Sequence, residues 1–128
     1  MEPSRIQAVN HVDLEAPPGL AEELRWFYAE LAQLDEVICD EAEAQRLCFK
    51  SEQIELRVHL VENPRIDPVA RRVTIAVLSL TEAAELLDER SLPYARVSGL
   101  LFTDRRLEMH DPAGNRVVLK QHWGDGPL

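Results

Sequence analysis

No run of residues is long enough and free enough of charge to span a bilayer as a helix, so a helical membrane protein is not expected. The opening MEPSRIQAV has neither the basic start nor the apolar stretch of a secretory signal. Cysteine is scarce: only Cys39 and Cys48 are present, without metal-type spacing. With no export signal, reduced thiols in apolar strands are the expectation, and a disulfide between neighbouring strands is the alternative. A cytoplasmic location follows as the default. No Gly-rich phosphate loop, Ser/His/Asp constellation or spaced Cys/His pair is present. Positive charge is in deficit, with 14 Lys and Arg against 23 Asp and Glu and a formal net charge of −9. Phosphate backbones and anionic lipid surfaces repel such a chain, so nucleic acid and membrane are not expected partners.

What remains is an ordinary globular composition, 45% hydrophobic and 29% charged over 128 residues. Residues 6–15, IQAVNHVDLE, alternate as a strand does: Asn10, Val12 and Leu14 share one face, Val9, His11 and Asp13 the other. The PPG at 17–19 ends that strand and offers a helix start. Leu20, Leu24, Phe27, Leu31 and Leu34 then fall at helical spacing, which predicts an amphipathic helix over 20–34. Phe27 belongs to its core face, while Trp26 could line a dimer contact. Three β-type runs follow, EVICDE at 36–41, RLCFK at 46–50 and QIELRVHLV at 53–61. NPRIDPVAR at 63–71 carries two prolines and no period, the mark of a linker.

The pattern then begins again. RVTIAVLS at 72–79 reads as a strand, and Ser79 with Glu82 forms a capping box. Leu80, Ala83, Ala84 and Leu87 predict a second amphipathic helix ending near Ser91, stopped by SLP. YARVSGLLF at 94–102, RRLEMH at 105–110 and RVVLKQH at 116–122 are three further β-type runs. His110 is expected at the surface beside a turn, and His59 and His122 near strand ends. The two halves share an order of elements but few letters. A half this small cannot bury both faces of its sheet alone, so one domain is expected over 1–128. Module one covers about 6–61, the linker 62–71 and module two about 72–122.

Three stretches carry a family resemblance: NHVDL near the start, RWFYAELAQLDEV through the first helix end, and HDPAGNRVVL at the close. In this order and spacing the chain resembles the vicinal oxygen chelate superfamily, which includes glyoxalases, bleomycin-resistance proteins and extradiol dioxygenases. The resemblance covers 6–122. It implies an α+β fold in which two βαβββ modules form a partly open mixed sheet or half-barrel around a cleft, and a homodimer. It also implies a four-position metal site, two positions per module. Carried over singly, these fall on His11, Glu55, Arg72 and Val118. The first two match the family pattern; the last two, usually histidine and glutamate, depart from it.

Alternation gives a check that does not use the resemblance. Ile54, Leu56, Val58 and Leu60 point one way; Glu55, Arg57 and His59 point the other. By the same parity Arg72, Thr74, Arg116, Val118 and Lys120 fall on the face opposite the apolar positions. A divalent ion needs three or four donors at about 2.0–2.2 Å. His59 lies about 13 Å along the strand from Glu55, too far to share an ion easily. Asp13, at about 7 Å from His11, is also awkward. Arg72 brings a permanent positive charge to the site, and an Arg72–Glu55 ion pair would take the metal's place.

Three functions stay open on this basis. The first is a binder of small molecules in the cleft without a cofactor, with Arg57, Arg72, Thr74, Arg116 and Lys120 as ligand-binding residues and an anionic ligand. The second is a glyoxalase-type lyase, isomerase or dioxygenase, in which His11 and Glu55 act as acid and base or hold Zn, Ni, Fe or Mn. The third is a protein–protein module with a vestigial cleft. The other reading of His11 is a packing and hydrogen-bonding residue, and of Glu55 a structural partner of Arg72 or Arg57.

Overall fold

The computed structural model describes residues 10–38, 45–65, 72–98 and 105–121. The first strand, β1, is Asn10–Ala16. Pro17 and Pro18 end it, because proline cannot donate to a ladder, and Pro18–Leu20 starts a helical path in a tight turn. That path continues as α1 (Ala21–Arg25) and widens into a π-helical segment, Trp26–Leu31. The widening shows in a bond five residues long, from the Ala32 amide to the Phe27 carbonyl at 2.9 Å. Gln33 closes the helix in the left-handed region at φ 65°. The predicted single helix is therefore one continuous stretch with a change of pitch where Phe27, Tyr28 and Leu31 are buried.

Strand β2 is short, Asp35–Val37, and is followed by β3 (Arg46–Lys50) and β4 (Ile54–Leu60). The second module repeats the order with β5 (Arg72–Val77), α2 (Leu80–Glu89), β6 (Tyr94–Val97), β7 (Arg106–His110) and β8 (Arg116–Gln121). The predicted capping residue does its work: the Ser79 hydroxyl accepts from the Glu82 amide at 3.1 Å. The predicted strand residues 6–9, 39–41, 99–102 and 122, and most of the linker, lie outside the described residues.

Each module forms its own four-stranded mixed sheet, in the orders β1-β4-β3-β2 and β5-β8-β7-β6. The first and last strand of each module pair in parallel, and the hairpins are antiparallel. This is the expected α+β fold of two βαβββ modules. Directly paired residues share a face, so Leu14, Val58 and Leu47 lie together, as do Val73, Val117 and Met109. These faces meet Leu24, Phe27, Leu31, Ala83 and Leu87 from the helices in one core cluster spanning both modules.

Polar contacts tie the modules together as well. The Tyr28 hydroxyl donates to Asp111 Oδ2 at 2.6 Å, joining residues 83 apart in sequence. Asp111 sits at the start of the DPAGN turn, and its Oδ1 accepts from the amides of Ala113 and Asn115 at 2.9 and 2.8 Å. Gly114 supplies the φ of 101° that the turn needs. Asn115 Nδ2 donates to Asp111 Oδ2 at 3.1 Å and to the Glu15 carbonyl at 3.3 Å. Trp26 carries the Arg90 guanidinium 3.9 Å over its ring, a contact between the two helices.

Burial, the Asp111 charge and the Asp111 hydrogen bond together push the Tyr28 hydroxyl well above its ordinary pKa of 10.0. The neutral phenol is the form the fold favours. Its contribution is complete below pH 10 or so and is lost as pH rises toward the raised folded value. Alkaline unfolding followed by circular dichroism should show this loss, and Tyr28→Phe should be flatter in that range. An identical alkaline profile for the variant would contradict the assignment.

Candidate functional site

The sheet faces turned away from the core carry the polar side chains. In the first sheet, β1 and β4 pair His11 with Glu55 and Asp13 with Arg57. His11 Nδ1 stands 3.2 Å from Glu55 Oε1, and Arg57 stands 3.7 Å from the other Glu55 oxygen. A second carboxylate–imidazole pair forms on the diagonal, His59 Nε2 to Asp13 Oδ1 at 3.0 Å. Acids and bases nearly balance on this face.

The second sheet differs. Register makes three rows across β5, β8 and β7: Arg72, Arg116 and His110; Thr74, Val118 and Glu108; Ala76, Lys120 and Arg106. Among the described residues of these strands, four cations (Arg72, Arg106, Arg116 and Lys120) therefore share the face with one carboxylate, Glu108. Glu108 accepts from Arg106 Nε at 3.0 Å and from Arg116 at 3.3 Å. The Arg106 bond, helped by Arg116 and opposed by partial burial, holds the Glu108 carboxyl below its ordinary range. Val118 is only 3% exposed yet stands apart from the main core cluster, as its place on the polar face requires.

His11 and Glu55 come together as the sequence implied. The expected Arg72–Glu55 ion pair does not form: Glu55 takes His11 and Arg57, while Arg72 lies in the other sheet beside Arg116. Thr74 and Lys120 are exposed on the second face, and Arg57 and Arg116 are half-buried. Among the described residues no three His, Cys, Asp or Glu side chains gather as a metal-binding group. The donors do not fit a divalent ion at the four family positions, because two positions hold a guanidinium and an isopropyl group.

Cys48 requires a correction: it is disulfide-bonded, not a reduced thiol. It lies on the polar face of the first sheet, paired in register with Arg57 and Val37, rather than in the apolar core. Cys39 lies outside the described residues.

Three contacts escaped the sequence reading. Glu108 would have emerged had strand parity been applied to RRLEMH, which puts Arg106, Glu108 and His110 on one face. The Asp13–His59 pair needed the β1–β4 register, and the Tyr28–Asp111 bond carries no local signal.

No protein-family model matches the chain, and no curated protein matches it. Solved structures do. A protein assigned to the glyoxalase family from Bacillus anthracis aligns with TM-score 0.73 and 25% identity, covering 89% of this chain and 93% of its own. The fosfomycin resistance protein FosX from Listeria monocytogenes aligns with TM-score 0.69 and 10% identity, covering 91% and 94%. TnmS3, an antibiotic binding protein from a Streptomyces species, aligns with TM-score 0.62 and 21% identity, covering 91% and 96%. At these identities the likeness is one of fold. No helix among the described residues is long and apolar enough to cross a membrane.

Proposed function

We propose that this chain, which has the vicinal oxygen chelate fold, binds a small organic anion on the polar face of its second sheet without a metal. The observation that carries this is the placement of Arg72 beside Arg116, with Lys120 and Arg106 on the same face and, among the described residues of these strands, a single carboxylate, Glu108. Two guanidinium forks side by side suit a carboxylate or phosphonate, which each fork can hold through paired N–H donors. Thr74 adds a hydroxyl, and Arg57 is a cation on the polar face of the other sheet. Glu108, already bonded to Arg106 and Arg116, keeps part of that charge neutral until a ligand competes for it.

His11 and Glu55 stand 3.2 Å apart on the first sheet and serve this reading as an imidazole–carboxylate pair. The binding likeness has company in the fold, where one aligned protein is an antibiotic binder and another a fosfomycin resistance protein. We take the assembly to be a homodimer, because both four-stranded sheets are open; light scattering at micromolar concentration tests it.

Calorimetric titration with benzoate, phenylphosphonate and benzylamine tests the binding. The two anions should bind and benzylamine should not. Arg116→Ala should weaken anion binding about tenfold or more, the effect of roughly 1.4 kcal/mol. Binding of benzylamine alone would overturn the proposal.

The convergence of His11 and Glu55 favours a second reading, a glyoxalase-type lyase, isomerase or dioxygenase that recruits further donors. Elemental analysis of protein purified without chelating resin separates the two. Stoichiometric zinc, nickel, iron or manganese, lost in His11→Ala, would replace the first reading by the second.

A further inference from the structure

We propose that anion binding on the second sheet takes up a proton, and that His110 is the group that receives it. The inference rests on the anion-binding reading above and deepens it: His110 becomes the third recognition group, and the ligand an oxyanion on a compact apolar body. His110 ends β7 and pairs directly with Arg116 of β8, which pairs in turn with Arg72 of β5. Directly paired side chains on one face stand about 4.5–5.5 Å apart at Cβ. The imidazole is exposed and shares a cavity of about 490 Å³ with Arg116 and Glu108. Pro93 and Ala95 give that cavity apolar surface. The volume lies within the roughly 300–1,000 Å³ range of small-molecule sites.

Imidazole is the side chain whose charge ordinarily changes between about pH 5 and 8. A protonated imidazole opposite a guanidinium meets like charge. An oxyanion seated between the two turns that repulsion into two attractions, so proton and anion each favour the uptake of the other. Among the described residues of the second sheet, His110 is the one imidazole on this face. The charged groups around it are few. Arg72 and Arg116 share its row and are permanently charged. Glu108, two residues back on the same strand, already accepts from Arg106 and Arg116. The Arg106 bond is the main cause that holds Glu108 below its ordinary range, so it stays a carboxylate across this window. Lys120 and Arg106 stand two rows away. From β6, the Tyr94 hydroxyl is engaged with Asp88 at 3.0 Å, and Asp111 is buried against Tyr28. The occupant is a small organic carboxylate or similar oxyanion, its head between Arg116 and His110 and its apolar body over Pro93 and Ala95.

Calorimetric titration of the full chain with benzoate, from about pH 5.5 to about pH 8.5, tests this, because benzoate keeps its single charge throughout. Affinity should rise about fivefold or more toward the acid end. His110→Gln should bind weakly and His110→Arg tightly, each with a flat pH profile. His110 is exposed, so both variants should fold. Proton NMR of the histidine rings gives a second readout. Saturating benzoate should move the titration of His110 to higher pH, and move it more than those of His11 and His59 on the first sheet. A flat native profile, or a sloping one that survives unchanged in His110→Gln, would overturn this inference and leave the anion site standing. Benzoate that fails to bind at every pH would overturn both.

Discussion

Asp111→Ala should cost about 3–5 kcal/mol in urea unfolding, a large share of a typical margin of roughly 5–15 kcal/mol. The carboxylate is 4% exposed and serves four donors: the Tyr28 hydroxyl, the Ala113 and Asn115 amides and the Asn115 side chain. Truncation leaves these groups without their acceptor, and a buried orphan costs about 1–3 kcal/mol. Tyr28 is fully buried, so water cannot easily replace the lost partner. The loss is more than local. Asp111 belongs to the turn of module two and Tyr28 to the first helix, so the variant loosens the junction between modules. Tyr28→Phe should be much milder, about 1 kcal/mol, because Asp111 keeps its turn amides and Asn115. Equal costs for the two variants would show that the turn, rather than the junction bond, needs no carboxylate.

Phe49→Ala should be of similar size, about 3–5 kcal/mol, by a different mechanism. Phe49 is fully buried on β3, opposite Leu56 in register. Its ring centroid lies 5.5 Å from that of Tyr28, which in turn meets Phe27 edge-on at 5.0 Å. Removing the ring opens a cavity bounded by a strand and the π-helical turn, two elements that cannot close on it without moving their hydrogen bonds. Thermal and urea unfolding should agree on the loss, with no change in the Arg72–Arg116 face. A cost below about 1 kcal/mol would mean that the first module repacks freely.

These two sites differ in how far the sequence announced them. Phe49 belongs to an apolar run, RLCFK, whose strand is visible in the letters. Asp111 was visible as a turn residue, but not as the partner of a tyrosine 83 positions earlier. The face occupied by Arg72, Thr74, Arg116 and Lys120 was legible because side chains alternate strictly along a strand. The same parity was available for Arg106 and Glu108. The partner of Glu55 was not legible, since it depends on which strands share a sheet. Arg72 sits in the other sheet, and Arg57 and His11 are the groups within reach.

The letters alone determined the order of elements in both modules, the capping of α2 by Ser79, the DPAGN turn, and the absence of metal-ligating atoms at Arg72 and Val118. Each of these follows from local spacing or from side-chain chemistry, which no fold can alter. Only the tertiary structure decided that Glu108 lies between two arginines, that Trp26 carries Arg90, that Cys48 is disulfide-bonded, and that His110 shares a cavity with Arg116. Those contacts join residues through register and packing, and the free energy that selects them belongs to the whole core rather than to any window of the chain.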